Sequence, residues 1–177
     1  MDSLVVFGGR TYFLLLTLLV AARGLDFLST WIATPNLELE ANPIARKLGW
    51  RGGVALNAVV CGVFGMWPVP AIVIMTASVL VAARNFQSAW LMRSMGEAGY
   101  RAWIAERFAE SRRGLFLFCL LAQGLSLCAV GVTLMHFSGW QPVPFGIGTG
   151  VVAYAALVVL FTLVAVLRAW RDADADR

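Results

Sequence analysis

The chain has 177 residues, of which 60% are hydrophobic and only 14% charged, with a formal net charge of +4. An ordinary soluble domain has about 45–50% apolar and about 25% charged residues, so this composition excludes a soluble globular protein and predicts a polytopic membrane protein. The basic residues cluster beside apolar segments, as expected of side chains that face lipid headgroups. We therefore expect membrane lipid as a partner and no nucleic acid.

The cysteines and the histidine argue against a transition-metal centre. Cys61, Cys119 and Cys128 lie inside apolar runs, show no CxxC spacing and are odd in number, so we interpret them as small buried hydrophobes. The one histidine, His136, cannot complete a His/Cys site with cysteines so scattered. The sequence therefore predicts neither zinc nor haem.

The start of the chain has two interpretations. Arg10 followed by TYFLLLTLLVAA has the charge and the apolar length, about 7–15 residues, of a signal peptide. The apolar run continues past Arg23, however, and this favours a first membrane span over residues 11–33. That span has to tolerate Arg23 and Asp26, which are three positions apart and can therefore face each other on a helix.

The remaining spans follow from length and from proline. A helix needs about 20 mostly apolar residues to cross the hydrocarbon of a membrane. Residues 52–83 carry no charge, and the WPVP sequence at 67–70 interrupts them with two prolines, which predicts a tight turn between two helices. The predicted fold is all-α, a single transmembrane helical domain over residues 1–170 with a polar tail at 171–177. Its five spans are expected at about 11–33, 43–66, 70–92, 114–138 and 147–168.

Basic residues predict the orientation of these spans. With five spans, the loops on one side collect nearly all arginines and lysines, whereas the other side has Arg10 alone. Short cytoplasmic loops carry the excess of such residues, so we expect a prokaryotic inner-membrane protein with its N-terminus outside and its C-terminus in the cytoplasm. The segment SGWQPVPFG, residues 138–146, is then an external loop.

One cytoplasmic segment has a helical pattern of its own. Residues 96–113, GEAGYRAWIAERFAESRR, place Tyr100, Trp103, Ile104 and Phe108 at helical spacing with arginines between them. This pattern predicts an amphipathic helix over about 97–110 that lies in the membrane interface. It is either a simple connector or a docking surface for anionic lipid or a partner protein.

Polar residues gather in the cytoplasmic half of the predicted bundle. An ionisable residue inside a span costs at least about 2.5–3.5 kcal/mol on insertion scales and normally faces the bundle interior or a wet cavity. We therefore expect a polar intramembrane cavity that opens to the cytoplasm. The candidate ligand-binding residues are Arg23, Asp26, Thr30, Glu40, Asn42, Asn57, Arg84 and Asn85.

Several of these residues also have a purely structural interpretation. Asp26 can simply neutralise Arg23, and Arg84 can reach out to the headgroups. Asn42 followed by Pro43 is a typical helix start, in which asparagine caps the first turn, and we expect the cap to be its main role.

Two family resemblances are visible in this part of the chain. Asp26-x-x-x-Thr30 followed by Glu40-x-Asn42-Pro43 resembles a group of short prokaryotic multi-span membrane proteins whose shared domain has no assigned function. The resemblance covers roughly residues 20–90 and implies no activity. LDFLSTWI resembles the opening of the lipoprotein signal peptidases, but neither of the two aspartate motifs that the catalysis of that family needs is present, and no second aspartate occurs in any predicted span, which excludes its activity.

Three functions are compatible with these residues, and the first is favoured: a binding or transport protein whose cavity takes a small cation, a proton or a polar headgroup. Asp26, Glu40 and Asn42 are the candidate metal ligands, because oxygen donors suit hard cations such as Na⁺, Mg²⁺ or Ca²⁺. Arg23 and Arg84 instead suit a phosphate or carboxylate, so the charge of the ligand stays open.

The other two functions are an enzyme and an accessory subunit. A membrane-lipid enzyme would use Asp26 or Glu40 as general base, with a hydroxyl nucleophile from Ser29, Thr30 or Ser88. An accessory or structural subunit would form a homo-oligomer or bind a membrane partner protein. For this third function, Gly146-x-x-x-Gly150 is a candidate face for close helix approach.

Overall fold

The computed structural model describes residues 4–40 and 42–175, and that part of the chain is helical with no strand. This confirms the all-α prediction. The ends of the predicted domain and tail, residues 1–3 and 176–177, lie outside the described residues. The five helices are α1 (Arg10–Ala33), α2 (Pro43–Phe64), α3 (Pro68–Glu110), α4 (Arg113–Phe137) and α5 (Pro142–Ala175).

Proline marks the start of three helices. α2 begins at Pro43, and the side chain of Asn42 accepts a hydrogen bond from the main-chain N–H of Ile44 at 3.0 Å, which confirms the predicted cap. α3 begins at Pro68, so the tight turn predicted at WPVP is also confirmed. α5 begins at Pro142, inside the segment expected to be an external loop. Proline is tolerated in the first turn of a helix, where its missing N–H has no partner to lose.

Two glycines interrupt helices α2 and α3. Gly96 has φ 72° and ψ 160°, so α3 consists of a segment before this break and a second helical segment after it, over residues 97–110. Gly49 has φ 61° and ψ −172° and breaks α2 after its first turns. Both residues have the positive φ that a side chain with a Cβ rarely adopts, and glycine therefore permits each bend.

The helices alternate in direction, and α3 lies between α1 and α5. The residue numbers of contacting pairs increase together along α1 and α3, from Arg23 with Ser78 to Thr30 with Asn85, so these two helices run in the same direction. α5 follows the same direction along α3. α2 runs opposite to α1, because the Tyr12 hydroxyl near the start of α1 donates to the carbonyl of Gly62 near the end of α2.

α4 runs opposite to α5, and glycine permits their close approach. A Cβ on Gly131 of α4 would lie 2.6 Å from the carbonyl oxygen of Gly148, and a Cβ on Gly148 would lie 2.5 Å from the carbonyl oxygen of Gly131. On the other side of α5, Gly146 and Gly150 contact α3. The prediction that Gly146-x-x-x-Gly150 is a close-approach face is therefore confirmed.

Four helices, α1, α3, α4 and α5, are long and apolar enough to cross a membrane. α2 falls short of them in apolar character because its first turns carry three basic residues. Large apolar side chains point outwards, including Phe118, Leu125 and Phe137, which are 69–80% exposed. Cys61 is buried as predicted, whereas Cys119 is exposed on α4, so the prediction of a buried Cys119 is wrong. An outer surface with so many exposed apolar side chains is unusual for a protein in water and ordinary for a protein in lipid.

Candidate functional site between α1, α2 and α3

Arg23 is the centre of a polar cluster that joins three helices. Its Nε donates to Oδ1 of Asn57 on α2. Its Nη1 donates to Oδ2 of Asp26, 2.7 Å away on the same helix, and to Oγ of Ser78, 3.0 Å away on α3. The Arg23 and Asp26 side chains are 25% and 16% exposed, so the ion pair predicted from their spacing forms in a largely enclosed place. The structure thus confirms that Asp26 neutralises Arg23.

A second set of hydrogen bonds lies two turns further along α3. The side-chain amide of Asn85 donates to the hydroxyl oxygens of Ser29 and Thr30, each 3.2 Å away. Ser29 is fully buried and donates to the main-chain carbonyl of Asp26 at 2.8 Å. Asn85 follows Ser78 by seven residues, about two helical turns, and the two therefore share one face of α3.

A third set of contacts holds the loop after α1. The carboxylate of Glu97 accepts hydrogen bonds from the Thr34 hydroxyl at 2.7 Å and from the main-chain N–H groups of Asn36 and Glu38 at 2.8 and 2.9 Å. Arg101 donates to the Glu38 carbonyl at 2.7 Å, so the segment after Gly96 is fastened to this loop at two points.

The hydrogen bonds also set the charge state of Glu97. Burial raises the pKa of its carboxyl, but the hydrogen bonds from Asn36, Thr34 and Glu38 outweigh burial. The pKa therefore lies below the ordinary value, since each of these donors favours the ionised form. A carboxylate with a lowered pKa is a weak base. Glu97 is therefore poorly suited to act as a general base and well suited to hold the loop after α1 in place.

Together these contacts form a feature that we name the polar stripe. On α1, Arg23, Asp26, Thr30 and Thr34 are spaced by three or four residues, which places them on one face, and Ser29 lies beside Thr30. The same interface is apolar towards the start of α1, where Leu15 and Leu19 are buried with Ala71. The polar stripe comprises Arg23, Asp26, Ser29, Thr30 and Thr34 together with Ser78, Asn85 and Glu97 of α3.

The polar stripe reaches the surface beside an open depression of about 410 Å³. Asn36, Glu38, Arg93 and Glu97 supply its polar lining. Within the described chain every buried side-chain nitrogen and oxygen has a hydrogen-bond partner. The buried polar atoms of the polar stripe are thus satisfied by hydrogen bonds, and the depression lies at its outer end.

The other predicted residues lie at the edge of the polar stripe or away from it. The main-chain N–H of Asn42 donates to Oε1 of Glu40 at 2.8 Å, and Glu40 is close enough for its negative charge to act on Asp26. Arg84 points away, towards Thr162 of α5 at 3.4 Å. Asn85, the next residue, faces α1 instead, since consecutive helical residues are about 100° apart.

The positions of the acidic and hydroxyl side chains can be compared with what a metal site and a nucleophile require. In residues 4–40 and 42–175, no three His, Cys, Asp or Glu side chains converge as metal ligands would. Ser29 donates to a main-chain carbonyl, and so does Ser88, at 3.4 Å from the carbonyl of Asn85. Neither serine is positioned by a base as a nucleophile would be.

Sequence reasoning missed Ser78, Thr34 and Glu97 as members of the polar stripe. Ser78 carried a usable signal, because it precedes Asn85 by seven residues within a run of apolar side chains. The signal for Glu97 was weaker: this residue directly follows a glycine near the end of a predicted span.

With the geometry known, relatives were sought by three comparisons. No family model, no curated protein and no solved structure matches this chain. The resemblance to the short multi-span proteins of unassigned function therefore stays a prediction, and function has to be inferred from the polar stripe itself.

Proposed function

We propose that the protein is an integral membrane protein with five crossings. Four helices have the length and apolarity for a crossing, and α1 and α3 run in the same direction. If both of these cross the membrane, the chain between them has to return through the same thickness. α2 runs in the opposite direction and makes that return. Its part after the break at Gly49, residues 50–64, extends about 22 Å, less than a hydrocarbon core of about 30 Å, so the basic side chains before it have to reach outwards to the headgroups.

The arginines and lysines orient this bundle. The ends of α1, α3 and α5 and the start of α2 lie on the basic side, which by the positive-inside rule is the cytoplasmic face of a prokaryotic inner membrane. The part of α3 from 68 to 95 already extends about 42 Å, so the segment after Gly96 lies beyond the hydrocarbon. It is then the cytoplasmic amphipathic helix expected over 97–110, fastened to the loop after α1.

The depth of Arg23 in the membrane restricts the kinds of ligand that can reach the polar stripe. Arg23 lies ten residues before the end of α1, about 15 Å into the hydrocarbon, where a headgroup does not reach. The charge of Arg23 is already balanced by Asp26, and Glu40 adds a second negative charge nearby. A positive species is therefore favoured over a phosphate or carboxylate.

The function that this geometry supports best is binding of a proton or small cation at Asp26, supplied from the cytoplasm. The observation that carries it is the one-sided course of the polar stripe, from the middle of α1 to one end only. Intramembrane carboxylates in polar rows of this kind are typical of proton and ion pathways. The apolar packing around Leu19 closes the other end, so we propose a binding site and not an open pore.

Thermal unfolding of the purified protein in detergent tests this function. We expect one of Na⁺, K⁺, Mg²⁺ or Ca²⁺, or a change of pH, to raise the melting temperature of the wild type, because a bound ion stabilises only the folded form. Asp26→Asn should remove this effect while keeping an oxygen that accepts from Arg23. Glu106→Gln is the matched control, since Glu106 is exposed outside the polar stripe. Because Glu97 also makes stability depend on pH, a pH response supports the proposal only where Asp26→Asn removes it. A wild-type protein that responds to none of these ions, and whose pH response is the same in Asp26→Asn, would contradict the proposal.

A second candidate function rests on the three-helix connectivity of Arg23. Its hydrogen bonds to Asp26, Asn57 and Ser78 would by themselves suit an accessory subunit, in which the cluster fixes helix geometry. In that case Asn57→Ala should lower the melting temperature although no ion raises it. A stoichiometric partner protein in a gentle detergent pull-down would favour this function.

A further inference from the structure

The first turns of α2 carry a concentrated positive charge. Arg46, Lys47 and Arg51 are all exposed, and we name them the α2 basic face. Within the described residues, none of the three forms an ion pair. The nearest acidic side chain in sequence, Glu40, is instead hydrogen-bonded to the main chain of Asn42. The positive charge of this face is therefore not balanced by an ion pair in the part of the chain that the structure describes.

The amphipathic segment after Gly96 is different although it is also rich in arginine. Arg101 pairs with Glu38 at 3.5 Å, and Arg107 pairs with Glu110 at 2.8 Å and with Glu106 at 3.2 Å. These arginines are thus matched by carboxylates of the same protein. The α2 basic face differs from this segment in that none of its three basic side chains forms an ion pair within the described residues.

Apolar side chains flank the α2 basic face. Ile44 is 64% exposed and Leu48 is 41% exposed, next to Arg46 and Lys47 in the chain. The break at Gly49 lies between Lys47 and Arg51, and beside it the Trp50 side chain donates to the carbonyl of Pro35 at 2.9 Å. A mixture of basic and aliphatic side chains is suited to the boundary between headgroups and acyl chains.

We propose that the α2 basic face binds the headgroups of anionic phospholipids in the cytoplasmic leaflet, while Ile44 and Leu48 contact the upper acyl chains. Guanidinium groups form paired hydrogen bonds with phosphate oxygens, and a negative leaflet attracts basic side chains within a Debye length. The inference rests on the five-crossing topology, which places this face at headgroup level, and is independent of cation binding at Asp26.

Native mass spectrometry of the full chain in detergent, titrated with phosphatidylglycerol or phosphatidylcholine, tests the proposal. The double variant Arg46→Gln with Arg51→Gln should bind phosphatidylglycerol about tenfold more weakly than the wild type. The matched double variant Arg101→Gln with Arg107→Gln loses the same charge and should stay within about twofold of the wild type, because its arginines are already paired. Binding of phosphatidylcholine should be unchanged in all three proteins.

Two outcomes would overturn the proposal. The first is an equal loss of phosphatidylglycerol binding in both double variants, which would show a general charge effect. The second is wild-type binding in the α2 double variant. Inorganic phosphate at millimolar concentration is the further control: if it displaces the lipid, the face recognises a free anion and not a membrane surface. Melting temperatures measured with phosphatidylcholine alone show whether each variant is folded, and the Asp26 test gives its own answer whichever result is found here.

Discussion

Two helix interfaces in this bundle are built by opposite means. α1 and α3 meet through side-chain hydrogen bonds over half of their length, as in Arg23 with Ser78 and Thr30 with Asn85. α4 and α5 meet through glycines, with Gly131 and Gly148 so close that neither position has space for a Cβ. The glycine interface is close-packed through main-chain contacts. The polar interface places a carboxylate where lipid would otherwise exclude one, and this difference is why we assign function to it.

The largest expected effect comes from removing one member of the ion pair. Arg23→Leu leaves Asp26 enclosed without its partner, and the loss of one member of a buried pair typically costs about 3–5 kcal/mol. We expect the free energy of unfolding, measured by SDS titration in bicelles, to fall by about 3 kcal/mol. The control is the double variant Arg23→Leu with Asp26→Leu, which should recover most of this loss because no charge is left unpaired. If the double variant is as unstable as Arg23→Leu alone, the unpaired carboxylate is not the cause.

The glycine interface should be the next most sensitive. Gly148→Ala introduces a Cβ that would lie 2.5 Å from a main-chain oxygen, so α4 and α5 have to separate. Overpacking of this kind typically costs about 1–3 kcal/mol. Gly24→Ala is the matched control, because a Cβ at that helical position meets nothing within 4 Å. We expect it to be neutral or stabilising by up to about 1 kcal/mol from helix propensity. Equal effects of the two substitutions would mean that the close approach does not limit the packing.

The Glu97 contacts should give a smaller, pH-dependent effect. The pKa of Glu97 is lower in the folded protein than its ordinary value, so its stabilising contribution is complete above that ordinary value. It should be lost as the pH falls through the lower folded pKa, since the protonated carboxyl accepts hydrogen bonds poorly. The protection factors of the Asn36 and Glu38 amides, which are hydrogen-exchange rates corrected for the intrinsic pH dependence of exchange, measure this directly and should fall at acid pH. In Glu97→Gln the same amides should exchange faster at neutral pH and respond less to acid.

The sequence predicted the polar half of α1 well and its distant partners poorly. The first span, expected at 11–33, is α1 at Arg10–Ala33, because the length of an apolar run in lipid is a one-dimensional property. The pairing of Arg23 with Asp26 followed from helical spacing. Glu97 could not be found in this way, since it lies 63 residues from Thr34 and reaches it only through the bend at Gly96. Arg84 was expected in the same cluster as Asn85, but its side chain points towards α5. The packing of α5 fixes the rotation of α3 about its axis, and no local sequence pattern reveals that rotation.

The substitution Thr30→Val should have the smallest effect on stability. It nevertheless distinguishes most clearly between a functional and a structural role for the polar stripe. Thr30→Val removes the hydroxyl that accepts from Asn85, while Ser29 still offers Asn85 a partner. Interhelical hydrogen bonds in membranes average about 0.6 kcal/mol, so the unfolding free energy should change by no more than that relative to Thr133→Val, an exposed control on α4. If the polar stripe leads a proton or cation to Asp26, the ion- or pH-dependent rise in melting temperature should nevertheless shrink in Thr30→Val. A stability loss well above the control with an unchanged ion response would instead indicate that the hydroxyls only hold α1 against α3.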